Sequence, residues 1–495
     1  MRSLLRCGAG LAFWSGLLAA QTPPDQEDYP EDANIVVTSS IRQGGAQDIQ
    51  HFRSAATHGD MPRPESLTVE GLMGEHDLTL PALSPCAQLL CLSTESVQAA
   101  LPTRPEDKIF IGLGFASNVE AAAMRQPLNL VAVVDKSGSM SGEPLERVRK
   151  SLTQIVGQMR PDDQISIVLY GDQSHVYLRP TRIGEDRAAA LKVILEIESA
   201  GSTNMEEGLK VGYGVAFDTA PRFTGRTRLM LFTDEQPNVG RTDAASFIGM
   251  AEAASRRNVG LTTIGVGVQF DGALAGKVSS ARGGNLFFIA DDEDVQTVFG
   301  DQLDAMVTEV AHDVRIRLVP APGFRISGVF GVPDGLLTDA GDGAVTVTVP
   351  TAFLSRHGGG IFVSVAKAGA RAHLPAAELA RGRPLLSASL AYVGANDGRK
   401  GSQRLVVAPP SGSPSPGLRT AHALVDEYLV LKDATVAFHR NGNPKRAYQL
   451  LSGLAARLSS NDLDALAGER VLVGQLLAKA AFHSGYGGEV PKRGR

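Results

Sequence analysis

The sequence has no excess of basic residues: 48 Lys and Arg stand against 53 Asp and Glu, a formal net charge of -5. That removes the electrostatic footprint expected of a nucleic-acid-binding chain. No apolar run beyond the first twenty residues is long enough to read as a transmembrane helix. Only three cysteines are present (Cys7, Cys86 and Cys91), and their spacing suits no zinc motif. Gly112 and Gly114 have neither the third glycine nor the Lys-Ser/Thr ending of a phosphate loop, and read as strand punctuation.

What is present at the start reads as a secretory leader. Arg2 and Arg6 precede a mostly apolar stretch from Cys7 to Ala20, too short to span a bilayer comfortably. Cleavage is expected near Ala20, although Leu18 stands where a small residue is usual. The expected location is therefore outside the cytoplasm, periplasmic or secreted. In an exported chain the remaining pair, Cys86 and Cys91, suggests a local disulfide; the alternative is two buried thiols.

The chain divides by composition and period. After the leader (1–20), residues 21–62 are rich in Pro, Gln, Asp, Gly and Ser and read as a disordered lead-in, with at most an isolated strand at Asn34 to Thr38. Residues 63–126 form a β segment, with strands expected at Ser66 to Val69, His76 to Leu80 and Lys108 to Phe115. Residues 127–304 alternate strands and helices. The strands are Leu128 to Val134, Gln164 to Tyr170, Arg228 to Thr233, Gly260 to Gly267 and Asn285 to Ile289, plus an edge piece around Val176 to Leu178. Helices are expected over Glu143 to Met159, Glu185 to Ile197, Met205 to Thr219, Asp243 to Arg257, Phe270 to Ser280 and Val295 to Glu309.

Near-continuous apolar strands imply burial on both faces, hence an α/β fold with a doubly wound, mainly parallel sheet. From 305 to 410 the period changes to two, which predicts an antiparallel β-sandwich that the strands before Gln126 would join. The α/β unit would then be an insertion. A Pro/Ser/Gly linker at 411–417, a C-terminal helical segment of three amphipathic helices at 418–484 and a basic tail at 485–495 complete the chain.

One stretch carries the chemistry. The apolar run Asn129 to Val134 ends in Asp135, and Ser137 and Ser139 follow at alternating positions. In an extended loop alternate side chains share a side, so three hard oxygen donors converge at the carboxyl end of a strand. Gly201-Ser202-Thr203-Asn204 and Leu229-Met-Leu-Phe-Thr-Asp234 follow in order. This pattern resembles the metal-ion-dependent adhesion site of von Willebrand factor type A domains. Blocks such as Phe232 to Gly240 and Thr263 to Gly267 look like exported bacterial proteins carrying that domain. More distantly the arrangement is similar to inter-alpha-trypsin inhibitor heavy chains and calcium-activated chloride channel regulators.

The resemblance implies a metal shell of Asp135, Ser137, Ser139, Thr203 and Asp234 holding Mg2+, with Mn2+ or Ca2+ as substitutes. It also implies an open coordination position for an exposed Asp or Glu of a protein partner. Two positions depart from the family pattern. Ser202 replaces the second glycine of Gly-Gly-Thr and competes with Thr203 as a ligand, and Glu235 stands where glycine is common. The plain alternative is that Asp135 and the serines cap the helix starting near Glu143. Glu206 and Glu207 read as helix-opening acids, and Asp291 to Asp294 as a capping run rather than a calcium site. No histidine sits suggestively near Ser137 or Ser139, and the segment lacks a Gly-x-Ser-x-Gly elbow, so no catalytic residue is assigned; His175 and His312 read as ordinary polar residues.

The expected function is thus a non-enzymatic, metal-dependent adhesion or scaffold protein. The alternative is a structural interaction protein with a vestigial metal site that binds partners through its C-terminal helices. A third possibility is a hydrolase using the cation as Lewis acid.

Overall fold

Strand Leu128–Asp135 is buried at every position, as its uninterrupted apolar run requires, and lies inside a seven-stranded sheet. The structure is a computed structural model describing residues 39–81, 86–234, 243–267, 272–300, 303–368, 382–461 and 463–486. The expected leader, the Asn34 to Thr38 strand, Glu235 and the tail beyond Tyr486 lie outside the described residues.

The sheet runs Gly45–Ala46, Gly284–Ile289, Val259–Val266, Arg226–Thr233, Leu128–Asp135, Gln164–Tyr170, His175–Arg182, parallel except for the last pair. Leu130, Ala132 and Val134 face helices Glu143–Gln158 and Asp292–Gly300, while Val131 and Val133 face Met205–Thr219 and Ala244–Ser255. This period-two division of one strand between two helical layers is the doubly wound arrangement. Gly208 and Gly212 let the Met205–Thr219 helix lie close to the sheet. A Cβ at Gly212 would come within 2.4 Å of Val133 Cγ2, and one at Gly208 within 2.6 Å of Tyr170 Cγ.

The helix expected over Val295 to Glu309 is instead two, Asp292–Gly300 and Leu303–Val307, and Glu309 already opens a strand. Its early start comes from the acidic run. Asp294 Oδ2 accepts from the backbone N–H of Ala290 (2.7 Å) and Asp291 (3.2 Å), and Asp291 Oδ1 accepts from Asp294 N–H (3.0 Å).

A second, ten-stranded sheet pairs antiparallel throughout. It takes Ser39–Gln43, Cys91–Val97 and Ile109–Ser117 from before the α/β unit and the strands between Glu309 and Val407 from after it. Its two layers enclose one apolar core and are joined through Ser39–Gln43, which pairs with Ile109–Ser117 and with Val345–Ser355. Cys86 and Cys91 form a disulfide at the start of the Cys91–Val97 strand. Gly112 and Gly114 sit in mid-strand, where a Cβ on Gly112 would meet Leu80 Cδ1 at 2.6 Å.

Three expectations are corrected here. The lead-in assigned to 21–62 is folded from residue 39 onward: besides Ser39–Gln43, Gly45–Ala46 extends the parallel sheet and Gln50–Thr57 is a helix. Its few apolar side chains, Ile41, Ile49 and Phe52, are all buried, so tertiary partners supply what local periodicity lacks. The strands expected at Ser66 to Val69 and His76 to Leu80 are a 3-10 turn, Pro64–Ser66, then helix Val69–Gly74 and irregular chain. Thr68 decides this by accepting the Gly71 N–H at 3.2 Å as an N-cap. The linker ends at Ser415, not 417, because Ser415 Oγ caps helix Pro416–His439 and Gly417 is buried in it.

Helices Pro416–His439, Pro444–Ser459 and Ala467–Ser484 pack their apolar faces on Leu67, Leu72, Phe110 and Phe362. Arg228, 2 % exposed, joins the two sheets. It donates to Thr262 Oγ1 (2.6 Å), Gly283 C=O (3.0 Å), Asn285 Oδ1 (2.9 Å) and Glu309 Oε1 (2.8 Å), with its guanidinium over the Phe353 ring. No helix among the described residues is long and apolar enough to cross a membrane.

Candidate metal centre

In the parallel sheet the chain moves outward from Leu128–Asp135 first toward Gln164–Tyr170 and then, from Arg226–Thr233, to the other side. The topological switch point therefore lies between Leu128–Asp135 and Arg226–Thr233, where doubly wound sheets open a crevice beyond their carboxyl ends. Asp135 is the last residue of the first strand and Asp234 immediately follows the second.

Around that crevice the polar side chains meet. Ser137 N–H donates to Asp135 Oδ1 at 2.9 Å, and the Ser137 and Ser139 hydroxyls are 3.0 Å apart. Ser139 Oγ donates to Asp234 Oδ1 at 3.1 Å, and Thr233 Oγ1 to Asp135 Oδ2 at 3.3 Å. Thr203 arrives on a separate loop, tied to the first by Gly138 N–H to Gly201 C=O (2.9 Å) and Ala200 N–H to Lys136 C=O (2.5 Å). Asp135, Ser137, Thr203 and Asp234 are buried and Ser139 is exposed, so the cluster opens to solvent on the Ser139 side.

The helix-capping alternative does not account for these contacts. Helix Glu143–Gln158 has Gly142 at its N-cap position and no side-chain cap; Asp135 and the serines bond to one another. Ser202 and Thr203 also separate. Ser202 gives both its N–H (2.9 Å) and its hydroxyl (2.5 Å) to Asp172 Oδ1 at the surface, whereas Thr203 is fully buried. Asn204 caps the following helix by accepting Glu207 N–H at 3.2 Å, and Glu206 pairs with Lys210 at 2.7 Å, so these acids belong to the helix. His312 bonds to Thr351 and Glu309 in the antiparallel sheet.

Burial raises the Asp135 carboxyl above its ordinary range, opposed by hydrogen bonds from Ser137 and neighbouring hydroxyls. Burial first, and the Asp135 charge next, push the Tyr170 phenol well above its usual range, so it faces the site as a neutral group. Two carboxylates and three hydroxyls are the donor set of a hard divalent cation. Sequence reasoning missed Thr233 and Asp172. Thr233 could have been found as the hydroxyl beside Asp234; Asp172 gives no signal until the Ser202 loop is seen against it.

An open α/β sheet with oxygen donors on the two strands flanking its switch point defines a ligand-binding domain of the doubly wound class. Residues 129–301 match the family model of the von Willebrand factor type A domain. The chain is 32 % identical over 274 residues to the uncharacterized protein YfbK of Escherichia coli, covering 54 % of this chain and 47 % of that protein. It is 26 % identical over 239 residues to human inter-alpha-trypsin inhibitor heavy chain H4, covering 45 % of this chain and 26 % of that protein. The chain thus spans about half the length of these curated relatives, or less. Among solved structures, a von Willebrand factor type A protein from Catenulispora acidiphila aligns at 15 % identity with a TM-score of 0.46, over 80 % of this chain and 87 % of that one.

Proposed function

We propose that this protein binds a partner protein through a divalent cation held by Asp135, Ser137, Ser139, Thr203 and Asp234, without enzymatic activity. One observation carries the reading: the Ser137 and Ser139 hydroxyls lie 3.0 Å apart, and Ser139 Oγ lies 3.1 Å from Asp234 Oδ1, beside a buried Asp135. Mg2+ suits such oxygens best and Mn2+ could replace it; Ca2+ usually recruits more carboxylates. With two carboxylates and three neutral hydroxyls, the ion keeps appetite for one more anionic oxygen, and an exposed Asp or Glu of the partner supplies it. A groove of about 900 Å³ beginning at Ser141 and Gly142, lined by Glu143, Arg147, Lys150 and Asp292, gives the partner's flanking residues a place to rest.

The competing reading, partner capture by the C-terminal helices, has less to work with. Their apolar faces are buried against the rest of the chain, leaving Val471, Phe482 and Tyr486 as exposed large apolar residues among those described. The Cys86–Cys91 disulfide and the leader-like N-terminus support an exported, periplasmic or secreted location.

Co-purification from native extract tests the proposal. Retention of a partner with Mg2+, its loss in EDTA and its loss in Asp135→Ala are expected. Retention that ignores EDTA and disappears on deleting 418–495 would transfer the function to the helices.

A further inference from the structure

A second polar cluster lies far from the switch point, where the N-terminal helices meet the C-terminal ones. Glu75 and His76 follow helix Val69–Gly74, Arg53 comes from Gln50–Thr57, Glu427 from Pro416–His439 and Glu469 from Ala467–Ser484. A ligand atom each from Glu75, His76 and Glu469 lie within 4.8 Å of one another. His76 Nε2 is 2.9 Å from Glu469 Oε1. Arg53 NH2 bridges Glu75 Oε2 (2.5 Å) and Glu469 Oε1 (2.6 Å), and Glu75 Oε1 accepts Ile49 N–H at 2.8 Å.

Glu427 makes this cluster unusual. It is 0 % exposed and its carboxyl lies against Glu469; with both ionised, neither of its oxygens nor Glu469 Oε2 has a hydrogen-bond donor, and the pair comes together only by sharing a proton or a cation. Buried polar atoms are ordinarily satisfied, and a buried charge is ordinarily neutralised. Three carboxylates gather here around the Arg53 guanidinium, with the Arg42 charge also acting on Glu75. Burial and the neighbouring Glu469 charge disfavour the ionised form of Glu427, and a divalent cation among these oxygens would favour it.

We propose that Glu75, His76, Glu427 and Glu469 form a second divalent-cation site, of the imidazole-plus-carboxylate kind that takes Zn2+, pinning the C-terminal helices to the N-terminal segment. Imidazole nitrogen suits Zn2+, and carboxylates complete its shell. Arg53 then acts from outside the shell, orienting two of the carboxylates through the oxygens it already holds. Zn2+ on His76 Nε2 would replace its hydrogen bond to Glu469 Oε1, while the carboxylates keep lone pairs beyond those that Arg53 and Ile49 N–H use. The site would tie together three chain segments, the first and last nearly four hundred residues apart, a structural role independent of the switch-point cation.

The test is calorimetric titration of ZnCl2 into the full chain, stripped with EDTA, desalted and held in saturating Mg2+ so that the switch-point site is filled. The same titration of Asp135→Ala guards against Zn2+ entering that site, and the Mg2+-saturated wild type carries the result should that variant not fold. One equivalent of Zn2+ is expected in both, with a raised melting temperature. Binding weakened at least about tenfold is expected in Glu427→Gln and in His76→Gln. Glu427→Gln is a neutral isostere at an unpaired carboxyl, and circular dichroism checks its fold. Failure to bind Zn2+ beyond the switch-point site, or an equivalent that persists undiminished in both variants, overturns the proposal; the first outcome would leave Glu427 and Glu469 sharing a proton.

Discussion

The two sheets contain the same ingredients arranged to different ends. In the parallel sheet every strand from Leu128–Asp135 to Gly284–Ile289 delivers its carboxyl end to the same edge, so side chains distant in sequence gather there. In the antiparallel sheet the strand ends alternate, and its polar groups serve the framework: His312 bonds to Thr351 on the neighbouring strand, and Glu309 to Arg228 across the joint between the sheets. Strand direction thus separates a part that gathers a site from a part that holds it in place.

Breaking the joint should give the largest effect. Arg228→Met leaves the half-buried Glu309 without its closest cation and removes the bonds to Thr262, Gly283 and Asn285; urea denaturation is expected to show a loss of about 3–5 kcal/mol. A destabilisation below about 1 kcal/mol would mean that the sheets do not depend on this joint. Gly212→Val drives a side chain into Val133 and Leu229 and should cost about 1–3 kcal/mol, lifting the helix that Asn204 caps and so weakening Mg2+ binding as well. Unchanged Mg2+ affinity there would show that the Thr203 loop is positioned independently of its helix.

The two hydroxyls of the second loop sharpen the comparison at one site. Thr203→Val should weaken Mg2+ at least about tenfold, while Ser202→Ala, which removes only a surface bond to Asp172, should leave affinity nearly unchanged. The reverse order in calorimetry would reassign the ligand.

The smallest effect is one of pH, and two aspartates of the parallel sheet should give slopes of opposite direction. Binding needs the Asp135 carboxylate, and burial raises its pKa, so Mg2+ affinity should start to fall on acidification above the range where an ordinary aspartate titrates. Asp48 accepts Phe288 N–H at 3.0 Å, and burial pushes it from 3.8 up to about 8. The native state then keeps a proton that the unfolded chain releases near 3.8. This contribution to stability is therefore full at low pH and declines as pH rises toward about 8. Asp48→Asn should flatten that slope in denaturation curves recorded between pH 4 and 8.

The parallel sheet was legible because its signals are local. An apolar run ending in Asp135, a second ending in Asp234 and a capped helix after Thr203 are each readable within a few residues. What escaped the sequence depends on distant partners. Ser39–Gln43 is a strand because Ile109–Ser117 and Val345–Ser355 flank it; its own residues are too polar to say so. Ser66 to Val69 looked extended by side-chain type, and a single hydroxyl, that of Thr68, turned it into a helix start. The Arg53, Glu75, Glu427 and Glu469 cluster was invisible because each member is an unremarkable charge within its own segment. Only packing places them face to face.

Calorimetry of Mg2+ into EDTA-stripped, desalted protein bears most directly on the central claim, with Asp135→Ala run beside it. The expected result is one saturable Mg2+ site in the wild type and none in the variant, both retaining the circular dichroism of the folded chain. No heat of binding in the folded wild type, or equal binding by the two proteins, would contradict the account.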